Sequence, residues 1–230
     1  MQLDAARNRG AQLNFDEQMI TFHASSAAVE VTSSKATYRA DRLVITAGPW
    51  MAELLPEQQH LFPVYRQVLY WFDIADQAHY ELYRDMPVFI WEFGNRAVDS
   101  MYGFPAVDGA TGGLKIATEY FGESTTPLAA DRMVSESETR ETYEHYVRDR
   151  FPGLTPRAVK TATCLYTTTP DARFVIDRHP QHDNVLVASP CSGHGFKHSA
   201  AIGEVLAQLA TTGRSQLDVS RFGFDRFDAR

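Results

Sequence analysis

Asn184-Val-Leu-Val-Ala-Ser-Pro-Cys-Ser-Gly-His-Gly-Phe-Lys-His-Ser-Ala-Ala-Ile-Gly-Glu-Val-Leu-Ala-Gln-Leu-Ala-Thr-Thr212 reads as strand, turn and helix in succession. Val185 to Ala188 is a short apolar run of the kind that forms a buried strand. Gly193 and Gly195 flank His194 in a polar turn. Ile202, Val205, Leu206 and Leu209 then recur at helical spacing, which places a helix start near Phe196 or Lys197. Such a turn aims unsatisfied backbone N–H groups and the positive end of a helix at an electron-rich group: a phosphate, a carboxylate or the pyrimidine edge of a flavin. An ordinary strand-to-helix connection has the same outline, so the rest of the chain has to decide.

The 230 residues suffice for one large or two small domains, and 44% hydrophobic with 22% charged content is that of a soluble globular protein. A net charge of −7 argues against a nucleic-acid surface, which needs clustered Lys and Arg. No stretch approaches the roughly 20 apolar residues of a membrane span, and the first residues lack a signal-peptide core. Two cysteines are too few for a disulfide framework, so the expected setting is cytoplasmic and any special cysteine role chemical.

Taken in order, Met1 to Gly10 reads as the end of a helix, uncapped at its start, as if a fold were entered midway. Ala27–Thr32 and Ala36–Arg39 form a hairpin about Ser33-Ser34-Lys35. Arg42 to Thr46 is a buried strand broken at Ala47-Gly48-Pro49-Trp50, with a helix to Leu55 stopped by Pro56. From Phe62 the chain turns aromatic and β-rich: Tyr65–Phe72, Pro87–Glu92, Ser100–Pro105 and Gly113–Ala117 are expected strands of one antiparallel sheet. Its aromatics suit either a pocket wall or plain sheet core. Ser135 to Arg150 is an amphipathic helix ended by Pro152-Gly153, followed by strands at Lys160–Tyr166 and Arg173–Asp177.

Three features bear on chemistry. His179, His182, Cys191 and His194 have a spacing compatible with zinc, but Cys191 and His194 fall in a strand-to-helix turn and Pro180 constrains the first pair, so no metal is assigned. Cys164 on its strand is a small hydrophobe unless something reacts with it. Lys115, between Leu114 and Ile116, is costly to bury and becomes functional if it faces inward; otherwise it is a solvated strand residue. Lys197 at a helix start opposes the dipole, which makes sense if an anion shares the space.

Cys164-Leu-Tyr-Thr-Thr-Thr-Pro-Asp171, Phe174-Val-Ile-Asp177 and Ser192-Gly-His-Gly-Phe-Lys197, in that order, resemble the C-terminal part of the monomeric sarcosine oxidase and N-methyltryptophan oxidase family, flavoenzymes of the D-amino-acid-oxidase superfamily. Tyr102-Gly-Phe-Pro105, Gly113-Leu-Lys115, Tyr65-Arg-Gln67 and Thr46-Ala-Gly-Pro-Trp50 match as well. The resemblance implies an α/β (α+β) protein with a glutathione-reductase-like FAD domain and a substrate domain built on a mixed antiparallel sheet flanked by helices. Residues 1–60 would be a remnant of the FAD domain, 61–160 the substrate domain, and 161–230 the return. It implies that Cys164 bonds covalently to FAD, that Lys115 promotes reaction with O2, that Lys197 faces the substrate carboxylate and that Tyr102 lines the pocket. Cys191, Ser192, Gly193, His194 and Gly195 would cradle the flavin, with Gly48 and Trp50 alongside. The reaction implied is oxidation of a secondary amine or N-methyl amino acid to an imine, with O2 reduced to hydrogen peroxide and no membrane partner. Two departures stand out. The family's Gly-x-Gly-x-x-Gly turn, which binds the FAD pyrophosphate, does not occur, so the first βαβ unit is expected to be missing and FAD binding by these residues alone to suffer. Glu119 stands where the family has a pocket histidine, which shifts the expected substrate towards a cationic or bulkier amine. The alternative expectation is a non-catalytic fragment, or one half of a split enzyme that associates through its open sheet edge with itself or with a chain carrying the missing strands.

Overall fold

The computed structural model describes residues 1–96 and 99–227 and divides the chain into two compact units, Met1–Gln59 with Thr169–Arg230, and His60–Thr168. The first unit opens with helix α1 (Gln2–Asn8) and a three-stranded antiparallel sheet of β1 (Met19–Ala24), β2 (Val29–Ser33) and β3 (Thr37–Ala40). Ser33 closes the β2–β3 turn by accepting the N–H groups of Lys35 and Ala36, as short hydroxyl side chains do in turns. Strand β4 (Leu43–Ile45) then leads through a single 3-10 turn, Gly48–Trp50, into the short helix α2 (Met51–Leu54).

The second unit is built on β5 (Val64–Ile74). From Tyr70 to Ile74 its burial alternates, because one face packs against helices and the other does not. Helix α3 (Gln77–Arg84) follows, capped by the Asp76 carboxylate, which accepts the His79 N–H at 3.0 Å. This helix is missed in the sequence because Gln77-Ala-His-Tyr-Glu-Leu-Tyr-Arg84 buries only Tyr83 fully. Strands β6 (Phe89–Glu92), β7 (Ser100–Phe104) and β8 (Leu114–Ala117) add on, then helix α4 (Glu136–Thr142) with its Ser135 cap. The expected helix to Arg150 continues past α4 as one π-turn, Tyr143–Val147, in which the Arg148 N–H reaches the Tyr143 carbonyl. Strand β9 (Leu154–Thr167) completes a five-stranded sheet of order β6-β7-β8-β5-β9 with antiparallel neighbours. The chain re-enters the first unit at Thr169 rather than at 161, because β9 stays paired with β5 from Leu154 opposite Ile74 to Thr167 opposite Val64, with register shifts on either side of Phe72. On the helix-facing side Tyr70, Phe72, Met101, Leu114 and Ile116 pack with Tyr83, Val147 and Phe151. Each such buried side chain contributes about 1.5–3 kcal/mol.

Back in the first unit, β10 (Val175–His179) and β11 (His182–Ser189) form a hairpin, and β11 lies parallel to β4 with Val187 opposite Ile45. The connection between β10 and β11, expected as a surface loop, is a tight turn with a buried histidine. His179 is 8% exposed, stacks on His182 at 4.8 Å and meets Phe22 edge-on. The helix expected from Phe196 starts as a 3-10 turn, Phe196–His198, and becomes helical only in α5 (Ser199–Thr212), which ends at Gly213 with φ 75°. Ile202 and Val205 of α5 pack on Phe174 and Ile176, as their spacing requires. Among the described residues no helix is long and apolar enough to cross a membrane.

Asp171 ties the C-terminal segment to this unit. Burial alone would raise its pKa, but the Arg226 guanidinium at 2.9 Å, the Arg173 N–H and the Thr169 hydroxyl prevail and hold it at about 2. A carboxyl depressed in the folded state stabilises above its unfolded value and loses that contribution as pH falls towards 2. Urea denaturation between pH 5 and 2.5 is therefore expected to show a loss approaching about 2 kcal/mol through this group, absent from Asp171→Asn. Parallel pH profiles for the two proteins would remove Asp171 from this role.

Candidate functional site

The register of the five-stranded sheet gathers three of the sequence-selected residues, Tyr102, Lys115 and Cys164, on one face. Phe104, Lys115, Trp71 and Lys160 face one another in a row across β7, β8, β5 and β9. Two positions along lie Tyr102, Ala117, Leu69 and Ala162, then Gln67 opposite Cys164, then Tyr65 opposite Tyr166. Alternation puts all of these on the face turned away from the helix-packed core. The choice left open for Lys115 is thus resolved: its side chain joins this second, aromatic face and is only partly exposed. Its Nζ lies 4.5 Å from the Phe104 ring centroid and 5.3 Å from that of Trp71. Burial, and secondarily the neighbouring Lys160 charge, pull its pKa below the ordinary lysine value.

Cys164 is half-buried, and burial raises its thiol pKa while the Lys115 and Arg132 charges pull it back. The Tyr102 and Tyr166 hydroxyls come within 3.4 Å of each other across two intervening strands. Burial raises both phenols, Tyr166 the further of the two because the Tyr102 bond adds to it, so both stay protonated through neutral pH. Glu119 sits two residues past β8, exposed, and its charge adds to the upward push on both tyrosines. The neighbouring backbone is fixed by Gln67. This side chain is 1% exposed; its amide donates to the Tyr120 carbonyl at 2.6 Å and accepts the Tyr120 N–H at 2.8 Å.

Eight more lie in the first unit, at or beyond the carboxyl ends of two adjacent parallel strands, where α/β sheets place their ligands. Gly48, at φ 53°, and the exposed Trp50 follow β4. Cys191, Ser192, Gly193, His194 and Gly195 follow β11. Ser192 and Gly193 take positive φ values of 49° and 78°, whereas Gly195 does not; there a Cβ would collide with the Pro190 carbonyl, so close approach explains this glycine. His194 donates its N–H to the Cys191 carbonyl, and its ring Nε2 lies 3.1 Å from the Ala172 carbonyl. Burial raises the Cys191 thiol. The exposed Lys197 lies in the 3-10 turn ahead of α5 and donates to the His194 carbonyl at 3.0 Å, which eases the helix-start position that looked unfavourable in the sequence. The His179–His182 pair and the Cys191–His194 pair sit at opposite ends of the eight-residue β11, roughly 26 Å of extended chain, and no group of three metal-ligating side chains occurs among the described residues.

Trp71, Lys160, Tyr166 and Gln67 escape the sequence reading as site residues. Their signal is the odd-numbered alternation of Tyr65, Gln67, Leu69 and Trp71, which becomes legible only once β9 is registered against β5. On the sheet face, a half-buried thiol, an ammonium and two protonated phenols suit the ring of a flavin. No Gly-x-Gly-x-x-Gly occurs for a pyrophosphate.

Because the Lys115 charge favours the Cys164 thiolate, Lys115→Met is expected to slow alkylation of Cys164 by iodoacetamide at pH 8 about threefold, with Lys115→Arg restoring it. Peptide mass spectrometry separates Cys164 from Cys191; equal Cys164 rates in all three proteins would refute the coupling.

Comparison with known proteins assigns the lineage. The chain is 38% identical over 221 residues to monomeric sarcosine oxidase of Streptomyces avermitilis, covering 96% of the chain and 57% of that protein. It is 34% identical to N-methyl-L-tryptophan oxidase of Salmonella dublin, covering 98% and 58%. It therefore spans somewhat over half the length of the curated relatives it matches. Among solved structures, NikD, an amino acid oxidase essential for nikkomycin biosynthesis, superposes with a TM-score of 0.76 at 22% identity over 96% of this chain and 57% of that one. L-proline dehydrogenase from P. horikoshii superposes with 0.74 at 19% identity over 97% and 57%, so these two share the fold. The profile of the family described as FAD dependent oxidoreductase matches residues 2–209, and the chain belongs to that family.

Proposed function

We propose that this chain serves FAD-dependent oxidation of a secondary amine or N-methyl amino acid, with O2 as the electron acceptor. The observation that carries the reading is the sheet face that unites Cys164, Lys115, Tyr102 and Tyr166 on residues whose sequence context matches amine oxidases. When bound, FAD takes a hydride from the carbon beside the amine and passes two electrons to O2, giving an imine and hydrogen peroxide. In this reading Cys164 tethers the flavin through its sulfur. Lys115 holds a positive charge where negative charge develops on oxygen, and its burial makes that charge easier to lose than an ordinary lysine's. Tyr102 and Tyr166 remain hydrogen-bond donors to substrate across the working pH range. Lys197 exchanges its bond to the His194 carbonyl for the substrate carboxylate. Ser192 to Gly195 offer backbone N–H groups to the flavin, with Gly48, Trp50 and Cys191 beside them. Glu119, a carboxylate near the two phenols, favours an amine that carries additional positive charge or bulk.

A second reading rests on the missing Gly-x-Gly-x-x-Gly motif: the pyrophosphate is gripped by other residues, supplied by a partner chain, and these 230 residues alone hold FAD weakly. One experiment covers both. The chain is incubated with FAD in air, alone and together with a separately expressed dinucleotide-binding segment, and then acid-precipitated. Flavin absorbance that stays with the pellet, is lost in Cys164→Ser, and accompanies peroxide release from sarcosine or N-methyl-L-tryptophan is the expected result. Its rate should fall as pH rises through the lowered Lys115 pKa. A colourless pellet and no peroxide in either mixture would overturn the catalytic reading, whereas colour only in the mixture selects the second.

A further inference from the structure

The chain contains eighteen arginines and only four lysines: Lys35, Lys115, Lys160 and Lys197. Positive charge is thus supplied mostly by a side chain that keeps its proton, and lysine occurs at only four positions. Two of those four lie on one tryptophan. Lys160 Nζ is 4.5 Å from the Trp71 ring centroid and Lys115 Nζ is 5.3 Å from it. This follows from the pairing, in which Trp71 on β5 stands opposite Lys115 of β8 on one side and Lys160 of β9 on the other. Among the described residues neither ammonium has a carboxylate within 4 Å, although acidic residues outnumber basic ones in the chain. What holds the two cations is the negative face of aromatic rings, Trp71 for both and also Phe104, at 4.5 Å, for Lys115, each an attraction of about 0.5–1 kcal/mol at accessible sites and more when desolvated. What opposes them is each other: both lie within about 5 Å of one ring centroid, so they are no more than about 10 Å apart.

We propose that Lys160 and Trp71 form a positioning pair for Lys115, fixing where its Nζ sits and how readily it releases its proton. The ring supplies a site for the ammonium that a carboxylate would supply elsewhere. A carboxylate would lock the proton in place by stabilising the charged form, whereas a ring shared with a second cation binds Lys115 and leaves the charge under tension. Lys160 is thereby the one group on this face whose charge acts directly against that of Lys115, with Cys164 acting the other way. An arginine at 160 would preserve the repulsion; a neutral residue would relieve it. The value of such a device rests on the oxidase reading of Lys115, since a lysine that must both offer charge and shed a proton needs its acidity set by a neighbour.

The test reads Lys115 itself and needs no flavin. The full chain is reductively methylated with 13C-formaldehyde, and the four lysine signals are followed by NMR against pH, that of Lys115 being assigned by its loss in Lys115→Arg. Two unit charges about 10 Å apart at effective dielectric constants between 20 and 80 predict that Lys160→Met raises the Lys115 midpoint by about 0.3 to 1 pH unit, while Lys160→Arg leaves it unchanged. Trp71→Leu is expected to collapse the Lys115 chemical-shift offset caused by the ring, whereas Trp71→Phe retains part of it. Lys35 and Lys197 report whether each variant is folded as the wild type is. A Lys115 midpoint that does not move in Lys160→Met, with Lys35 and Lys197 unperturbed, overturns the proposal. In flavin-loaded protein the pH profile of reoxidation by O2 should shift upwards by the same amount in Lys160→Met. A midpoint shift seen by NMR without any amine oxidation would remove the functional reading and leave the positioning pair standing.

Discussion

The pairing of β5 with β9 is the constraint on which most of the second unit depends. Two strands of eleven and fourteen residues lie antiparallel from Val64 to Ile74, and side chains on such a pair alternate between faces without exception except at a bulge. A slip of one residue would send Tyr70 and Phe72 out of the helix-packed core and turn Cys164 and Lys160 into it. The large hydrophobic loss attached to that slip is what holds Cys164, Trp71, Lys115 and Tyr166 in place. Core packing on one face therefore fixes which side chains share the other, and contacts such as those of Lys115 and Lys160 with Trp71 set their finer placement.

Much of this was legible before any coordinates. The strands at Tyr65–Phe72, Ser100–Pro105 and Gly113–Ala117, the break at Gly48, and the apolar stripe of Ile202, Val205, Leu206 and Leu209 follow from period-2 and period-3.6 patterns and from turn chemistry. Helix α3 was not legible because it gains its place from a cap and one tyrosine rather than from a stripe. Nor was burial of His179, since a His-Pro-Gln-His tract reads as a surface loop until Phe22 is brought against it from a strand some 160 residues away. Of the site, a single sequence identifies chemically unusual residue types, such as a strand cysteine or a lysine between apolar neighbours. It does not reveal partners such as Lys160 and Trp71, because they are ordinary residues made unusual only by register.

The two units handle charge differently. In the first, Asp171 and Arg226 meet directly and the guanidinium stabilises the ionised carboxylate. On the sheet face of the second, Lys115 and Lys160 meet aromatic rings, and the Arg66–Glu138 ion pair lies on the helix-facing side. A carboxylate partner locks a proton; an aromatic partner holds a cation in place with far less effect on its acidity. The division matches structural residues to the first arrangement and candidate chemical residues to the second.

The π-turn at Tyr143–Val147 has a consequence for how this chain can vary in length. A turn closed from residue i to i+5 holds one residue more than its α-helical counterpart, and here it lets Tyr143, Tyr146 and Val147 all reach the core while the Tyr143 hydroxyl donates to the Leu154 carbonyl. Deleting a single residue in this segment would convert it to a regular α-helical turn and leave the residues beyond it close to their present phase, since four residues at about 100° each span nearly the same rotation as five in the wider turn. The segment can thus shed one residue while Phe151 stays against the core, whereas the same deletion in a regular helix would rotate everything beyond it by about 100°.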